Sequence, residues 1–461
     1  MRAAHRALVA VAVLLMTGHP GVSAQDAPSV AGSWAGTLDT GAGTLRIVFH
    51  LAPTDDGLAA TMDSPDQGAY GIAAGPVTLE GGSLRIEVPV VSGHYEGEIA
   101  AGRGRIDGTW HQAGMTFPLV LEPSADAAPE RPQEPREPYP YEAIDVSFES
   151  VVAGVRLAGT LTLPPGDGPY PAVVLVSGSG PQDRDETVFG HRPFLVLADH
   201  LTRNGIAVLR YDDRGVRGST GEIATAVTRD FADDAEGAID YLLSRPEIEP
   251  DHIGIIGHSE GALVAPIVAN RTDEVAFTIL LAGTGVTGEE LLVMQLIAIN
   301  RAMGASEEMT AQRSALQREL LALLARTPDD STAAEQAREV LAGAGVTGQV
   351  AEAQVAALLS PWMRHFLTYD PLPELRALKV PVLALWGEKD MQVPPEGNRE
   401  PVERALAESG NPDVTSIVLP GLNHLFQTAG SGAPSEYAGI TETFAPAALD
   451  QITEWIATRI R

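Results

Sequence analysis

The chain of 461 residues contains no cysteine, and this absence excludes two kinds of covalent attachment. The protein carries no disulfide bond, and no lipid can be attached to a cysteine near its N-terminus. Cysteine usage therefore gives no information on the redox state of its compartment. Any inference about export has to come from the N-terminal sequence itself.

Basic residues are scarce: 31 Lys and Arg stand against 61 Asp and Glu, which gives a net charge of −30. Nucleic acids and anionic membranes bind clustered Lys and Arg, so neither is an expected partner. We interpret the acidity as a contribution to solubility. The apolar share of 44% and the charged share of 20% are typical of a soluble chain that buries a core. The length predicts two or three domains.

The N-terminus has an apolar run, but the run is too short to anchor the chain in a bilayer. Basic Arg2 and Arg6 precede the apolar stretch Ala7–Met16, and the small residues Val22–Ala24 follow it. This order is typical of a secretory signal peptide with its cleavage site. Residues 1–24 are therefore predicted to be removed, and the mature protein is expected in the periplasm or the medium.

Residues 25–123 are predicted to form a small all-β domain. Short alternating runs such as TLRIVFHLA, SLRIEVPVV and TFPLVLEP are broken by Gly, Asp and Pro, which is typical of an antiparallel barrel or sandwich. Trp34 and Trp110 are expected in its core, with an aromatic ligand platform as the alternative. Residues 124–140 are rich in Pro, Glu and Ala without an apolar period, and predict an extended, solvated linker.

Residues 141–461 follow a different pattern. Near-continuous apolar runs such as PAVVLVSGSG and VPVLALWGEKD alternate with helical segments, which predicts a mainly parallel sheet covered on both faces. From about residue 286 to residue 368 there is only helix-like sequence. We predict a helical lid there, over the carboxyl ends of the strands. The alternative is a packing or dimerisation element, which leaves a homo-oligomer open.

The stretch IGIIGHSEGA points to a nucleophile. Ser259 stands between Gly257 and Gly261, after an apolar strand and before a helix-like segment. A serine at a sharp strand-to-helix turn presents its Oγ above the sheet, and the glycines let the backbone approach closely. The following helix directs free N–H groups toward the same place. We therefore predict Ser259 to be the catalytic nucleophile.

A nucleophilic serine needs a histidine as base and an acid that orients it, each placed after a later strand. Asp390 follows the run VPVLALWGEK, and His424 follows SIVLPGLN. Both stand where such partners are expected. Glu388 is the competing acid, and Asp390 is preferred because it lies at the tip of the turn. His258 is expected to pack beneath the serine turn.

The oxyanion that forms when a serine attacks a carbonyl group is expected to be held by two backbone donors. The N–H of Glu260 is predicted to be one donor. The second is expected from the glycine-rich loop SGSGPQDRDE, where Ser179 is the first choice and Gly180 the next. The side chain of Glu260 is expected to cap the following helix, with binding of a substrate amine as the alternative.

Three further features are weaker candidates. The loop RYDDRGVRGSTG carries Asp212, Asp213 and Arg214, which are expected to form a salt-bridged brace, with substrate contact as the alternative. His252 and His365 stand at a strand entry and in the lid, so neither is expected to be the catalytic base.

Together these motifs resemble the α/β-hydrolase superfamily over about residues 140–461. They are most similar to exported bacterial serine hydrolases near the dienelactone-hydrolase-like and prolyl-oligopeptidase-like enzymes. The resemblance implies an α/β-hydrolase fold, a Ser259–Asp390–His424 triad, an acyl-enzyme route and no metal or organic cofactor. Ser177-Gly178 stands where many relatives have His-Gly, which leaves the second oxyanion donor open. The N-terminal domain is too small for a full β-propeller.

The expected function is cleavage of small or medium carboxylic esters by an exported serine esterase. A peptidase or amidase, with Glu260 or the acidic lid holding a substrate amine, is the alternative within the enzymes. A non-catalytic binding module is the alternative outside them. Reaction with a fluorophosphonate probe separates an enzyme from a binding module.

Overall fold

The structure is a computed structural model. It describes residues 30–39, 44–54, 57–65, 69–91, 93–100, 104–112, 115–124 and 131–460. The predicted signal peptide, residues 1–24, lies outside the described residues. Within the described part of the chain, no helix has both the length and the apolar character that crossing a membrane requires.

The N-terminal domain is a curled sheet of nine antiparallel strands, which agrees with the predicted all-β class. The strands are β1 Gly32–Asp39, β2 Thr44–Thr54, β3 Gly57–Ser64, β4 Ala69–Ala73, β5 Val77–Glu80, β6 Ser83–Val88, β7 Gly93–Ile99, β8 Ile106–Gln112 and β9 Met115–Ser124. Their order is β4-β3-β2-β1-β9-β8-β7-β6-β5. Alternate side chains point inward, as the buried Leu84, Ile86 and Val88 of β6 show, because side chains alternate across a strand.

The two ends of this sheet are joined by the segment between β4 and β5. The N–H of Ala74 donates to Ala60 O on β3 at 3.2 Å, and the N–H of Gly75 donates to Glu87 O on β6 at 2.7 Å. The sheet therefore curls almost into a barrel. Trp34 and Trp110 are both buried inside it, as core residues.

The second domain is built on an eight-stranded sheet, mainly parallel. Its strands are β10 Glu142–Glu149, β11 Arg156–Leu163, β12 Tyr170–Val176, β13 Ala207–Tyr211, β14 Ile248–His258, β15 Phe277–Leu281, β16 Val382–Gly387 and β17 Val414–Leu419. They lie in the order β10-β11-β13-β12-β14-β15-β16-β17. The hairpin of β10 and β11 is antiparallel, and β11 also pairs antiparallel with β13. The strands β12 to β17 run parallel to one another. Strands such as β13 and β16 are buried along their whole length, since helices cover both faces.

The described residues of this domain form twelve helices. They are α1 Pro193–Arg203, α2 Thr228–Leu243, α3 Gly261–Arg271, α4 Gly288–Ala302, α5 Glu307–Arg326, α6 Asp330–Gly343, α7 Gly348–Leu358, α8 Pro361–Thr368, α9 Leu372–Ala377, α10 Pro395–Glu408, α11 Pro434–Tyr437 and α12 Pro446–Ala457. Helices α4 to α8 occupy the predicted lid segment. Four of them begin at a side chain that accepts a backbone N–H of the first turn, which fixes where each starts. These caps are Thr287, Ser306, Asp329 and Ser360.

The described end of the linker packs on the second domain. The guanidinium of Arg131 donates to Gly190 O at 3.1 Å, to Ala438 O at 2.7 Å and to Ile440 O at 2.9 Å. The prediction of a solvated linker is therefore wrong at Arg131. Loop carbonyls without strand partners need donors, and an arginine can supply several at once.

Candidate active site

Ser259 lies on a sharp turn between β14 and α3. Its φ of +54° is in the left-handed region, which few residues other than glycine adopt. A Cβ on Gly257 would lie 2.0 Å from Gly261 O, and one on Gly261 would lie 2.1 Å from Val176 O. Both glycines are therefore required by the packing of the turn, and the serine is held at the carboxyl edge of the sheet.

Asp390 and His424 meet in the loops that follow β16 and β17. His424 Nδ1 lies 2.8 Å from Asp390 Oδ2. The other carboxylate oxygen, Oδ1, accepts the N–H groups of Gln392 and Val393, both at 2.8 Å. Both side chains of the pair are buried. This arrangement orients the imidazole through Nδ1 and leaves its Nε2 available for proton transfer.

Glu388, the competing acid, points elsewhere. Its Oε2 accepts the N–H of Gly421 at 2.8 Å. It therefore supports the loop before His424 and does not contact the imidazole. His252 pairs with Glu249. His365, on α8, packs beside Tyr369, the residue that follows the helix. Neither histidine lies beside Ser259.

Two small cavities adjoin Ser259. One, of about 90 Å³, is lined by both Ser259 and His424, together with polar groups. The other, of about 30 Å³, lies under the lid and is lined mainly by apolar side chains, including Leu291 of α4 and Phe366 of α8. Ser179 lines both cavities. The serine therefore stands between a polar and an apolar compartment.

The proposed oxyanion donors lie at the same place. Glu260 and Ser179 both line the smaller cavity with Ser259. The N–H of the preceding residue, Gly178, is already engaged, since it donates to Glu186 Oε1 at 2.7 Å. Ser179, the next residue of the loop, thus remains the candidate for the second donor.

The side chain of Glu260 does not cap α3, and that expectation is wrong. Its carboxylate accepts the hydroxyl of Thr228 at 2.7 Å and the indole N–H of Trp362 at 2.8 and 2.9 Å. Burial raises the pKa of Glu260, and these two donors act in the opposite direction. The carboxylate therefore ties the lid helix α8 to the serine turn and has no free oxygen directed at an amine.

His258, expected beneath the turn, has a larger role than packing. Its Nδ1 lies 2.8 Å from Glu186 Oε1, and its Nε2 lies 3.0 Å from His424 O. Both neighbours are acceptors, so both ring nitrogens carry protons. Burial alone would lower the pKa of His258, but the carboxylate of Glu186 outweighs it and the pKa is raised. A buried ion pair therefore lies under the site.

Glu186 joins three parts of the site through this pair. Its Oε1 accepts the N–H of Gly178 from the loop SGSGPQDRDE and contacts His258, which precedes Ser259. His258 in turn contacts the backbone of His424. Sequence reasoning missed Glu186, although its place in the loop SGSGPQDRDE and its positive φ of 51° are consistent with a constrained position.

A Glu186→Gln variant is expected to lower kcat about 10- to 100-fold with little change in KM, because misplacement of reacting groups costs rate more than binding. The neutral amide removes the charge that keeps His258 protonated. Nitrogen-15 NMR of the histidines should therefore show His258 neutral at pH 7. Glu249→Gln, at the partly exposed His252 pair, is the matched control. An unchanged kcat with His258 still protonated would contradict this role.

The loop that carries Asp212, Asp213 and Arg214 is the predicted brace. Asp213 Oδ1 accepts the hydroxyl of Ser177 at 3.1 Å, and its Oδ2 accepts the N–H of Gln182 at 2.9 Å. Asp212 pairs with Arg184, and Arg214 pairs with Asp234. The contacts of Asp213 and Asp212 are made to the loop SGSGPQDRDE and hold it in place.

The sequence profile of the alpha/beta hydrolase family matches residues 173–438, which is more than half of the chain. The chain belongs to the alpha/beta hydrolase family. That range includes the strand–serine–helix turn, Asp390 and His424. The fold and the family implied by the sequence motifs are thereby confirmed.

Two curated relatives of this alpha/beta hydrolase are named as an esterase and a thioesterase. Esterase EstD of Thermotoga maritima is 29% identical over 293 residues, which cover 63% of either chain. The peroxisomal succinyl-coenzyme A thioesterase of Mus musculus is 29% identical over 133 residues, which cover 29% of this chain and 28% of the thioesterase. The hydrolase thus spans less than two thirds of the length of each relative.

A solved esterase structure from Pyrococcus furiosus is 17% identical to this chain. The match covers 70% of this chain and 92% of the Pyrococcus furiosus chain, with a TM-score of 0.45.

Proposed function

We propose that this protein is a serine esterase that cleaves carboxylic esters of small acyl groups. The observation that carries the proposal is the 2.8 Å contact between His424 Nδ1 and Asp390 Oδ2, at a cavity that His424 shares with the strained Ser259. A nucleophile, a base and an orienting acid are then assembled from three loops at one edge of the sheet.

The proposed reaction follows from these positions. Ser259 Oγ attacks the ester carbonyl as His424 Nε2 takes its proton, and Asp390 stabilises the imidazolium. The N–H groups of Glu260 and Ser179 hold the oxyanion, each worth roughly 2.7–4 kcal/mol in the transition state. His424 then gives its proton to the leaving alkoxide, which departs and leaves an acyl-serine. Water attacks the acyl-serine as His424 Nε2 takes its proton, and His424 returns that proton to Ser259 Oγ as the acid is released.

The acyl group is proposed to lie in the smaller cavity under the lid. That cavity touches Ser259 and the proposed donors, and its volume of about 30 Å³ suits a short chain. Leu291 of α4 reaches its wall and is buried there. The lid therefore limits acyl length.

A Leu291→Ala variant is expected to shift the ratio of kcat/KM for p-nitrophenyl hexanoate over acetate upward by about tenfold, since one methylene in an apolar pocket is worth roughly 1–3 kcal/mol. The two esters share a leaving group, so the ratio reports the acyl pocket alone. Leu320→Ala, in the interior of the lid away from Ser259, is the matched control. An unchanged ratio would place the acyl group elsewhere.

The amidase alternative loses its main support at Glu260, whose carboxylate is engaged by Thr228 and Trp362. Thioesters of coenzyme A are poorer candidates than small neutral esters, because they carry several phosphates and the chain has a net charge of −30. Side-by-side rates on p-nitrophenyl acetate, acetyl-coenzyme A and a matched acetanilide test this order. Faster turnover of the anilide or the thioester would overturn the oxygen-ester proposal.

We also propose that the esterase is exported. The basic start, short apolar run and small-residue site within residues 1–24 support this proposal. Mass spectrometry of the protein recovered from the producing cell should give an N-terminus at Gln25. An intact Met1 in the cytoplasmic fraction would contradict it.

A further inference from the structure

Two histidines and a glutamate meet on the outer face of the N-terminal sheet. His94 and Glu96 are two residues apart on β7 and share a face, and His111 on β8 is the register partner of His94. Their ligand atoms all lie within 4.8 Å of one another. The two imidazole rings stack in parallel, with centroids 4.6 Å apart. Each residue is partly exposed, so an ion could reach it from solvent.

We propose that His94, Glu96 and His111 bind one divalent ion of the zinc type, with water completing the coordination. Two neutral imidazole nitrogens and one carboxylate oxygen are a donor set that Zn²⁺ takes in proteins. His94 Nε2 already lies 3.7 Å from Glu96 Oε1. The bound ion would link β7 to β8 and stabilise the N-terminal domain, independently of the hydrolytic site.

His111 has partners for both ring nitrogens. Thr109 Oγ1 lies 3.0 Å from Nε2, and Thr116 Oγ1 lies 3.2 Å from Nδ1. If one nitrogen ligates the ion, the other can donate its N–H to a threonine. Metal-binding histidines are commonly oriented by such a second contact.

Arg85 sets the strength of this site. On the neighbouring strand β6, its guanidinium pairs with both Glu87 and Glu96. That guanidinium is positively charged. The same charge repels a cation and competes for Glu96. Removing Arg85 should therefore tighten binding.

The test is equilibrium dialysis of the untagged full-length protein against ZnCl₂ at pH 7.5, read by metal analysis. We expect one bound Zn²⁺. H94Q and H111Q should each weaken its affinity by at least about tenfold, since loss of even an outer-shell partner costs roughly 10–100-fold in metal affinity. R85A should bind more tightly than the unmodified chain. H252Q is the matched control, because His252 also pairs with a glutamate, Glu249, at similar exposure.

Each outcome bears on the proposal. Loss in H94Q and H111Q, gain in R85A and no change in H252Q would support it. Equal Zn²⁺ binding in all four variants, or an effect of H252Q as large as that of H94Q, would overturn it. A gain of Zn²⁺ affinity in R85A cannot be caused by misfolding, because a damaged N-terminal domain would not bind Zn²⁺ more tightly.

Discussion

Replacing Ser259 with Ala is expected to lower kcat for p-nitrophenyl acetate by at least about 10³-fold, because the attacking oxygen and the acyl-enzyme route are both lost. The oxyanion donors are backbone groups and survive the change, so a small residual rate over water should remain. The variant should fold, since alanine removes one oxygen from a turn fixed by Gly257 and Gly261.

The rate and the fold are measured together. Thermal unfolding should be nearly unchanged, and a fluorophosphonate probe should label the unmodified protein but not Ser259→Ala. Ser244→Ala, an exposed serine of the same domain, is the matched control. Undiminished turnover in Ser259→Ala would refute the proposed nucleophile. A folded, unmodified chain that the probe does not label would instead favour the non-catalytic binding module.

Replacing Asp390 with Asn should have a comparable effect for a reason specific to this loop. Asp390 Oδ1 accepts the N–H groups of Gln392 and Val393. An asparagine must keep its oxygen there, so its NH₂ group faces His424 Nδ1. The imidazole then carries its proton on Nε2, the nitrogen that should receive the proton of Ser259. The wrong tautomer is expected to lower kcat by about 10⁴-fold.

Glu388→Gln is the matched control for this change. Glu388 is the other acid of the same turn, and its contact with Gly421 N–H can be made equally by the oxygen of a glutamine. Its kcat should remain close to that of the unmodified protein. The assignment of the acid fails if Glu388→Gln loses as much activity as Asp390→Asn.

The parts of the site that the sequence could predict are those encoded locally. The turn at Ser259 is marked by an apolar strand, two glycines and a helix within ten residues, and the strand pattern places Asp390 and His424 at the same edge. The fold class followed from the alternation of apolar runs and helical segments. Both the fold and the family agree with these local signals.

The sequence could not predict which single polar residues, far apart in the chain, would pair with each other. Glu186 and His258 are 72 residues apart, and Glu260 and Trp362 are 102 apart. No periodicity marks such a pair, because each member is a single polar residue. The expectation that Glu260 caps α3 failed for this reason, since a lid residue competes for its carboxylate.

The contact of Arg131 with residues near the C-terminus has a consequence for the order of folding. Its acceptors Ala438 and Ile440 are more than 300 residues later in the chain, so a ribosome makes them long after the linker. The nine strands before the linker are contiguous in sequence and can pair while synthesis continues. Arg131 can reach these two acceptors only after residue 440 has been made. A chain truncated before residue 438 would therefore lack both contacts and keep only those that Arg131 makes near Gly190.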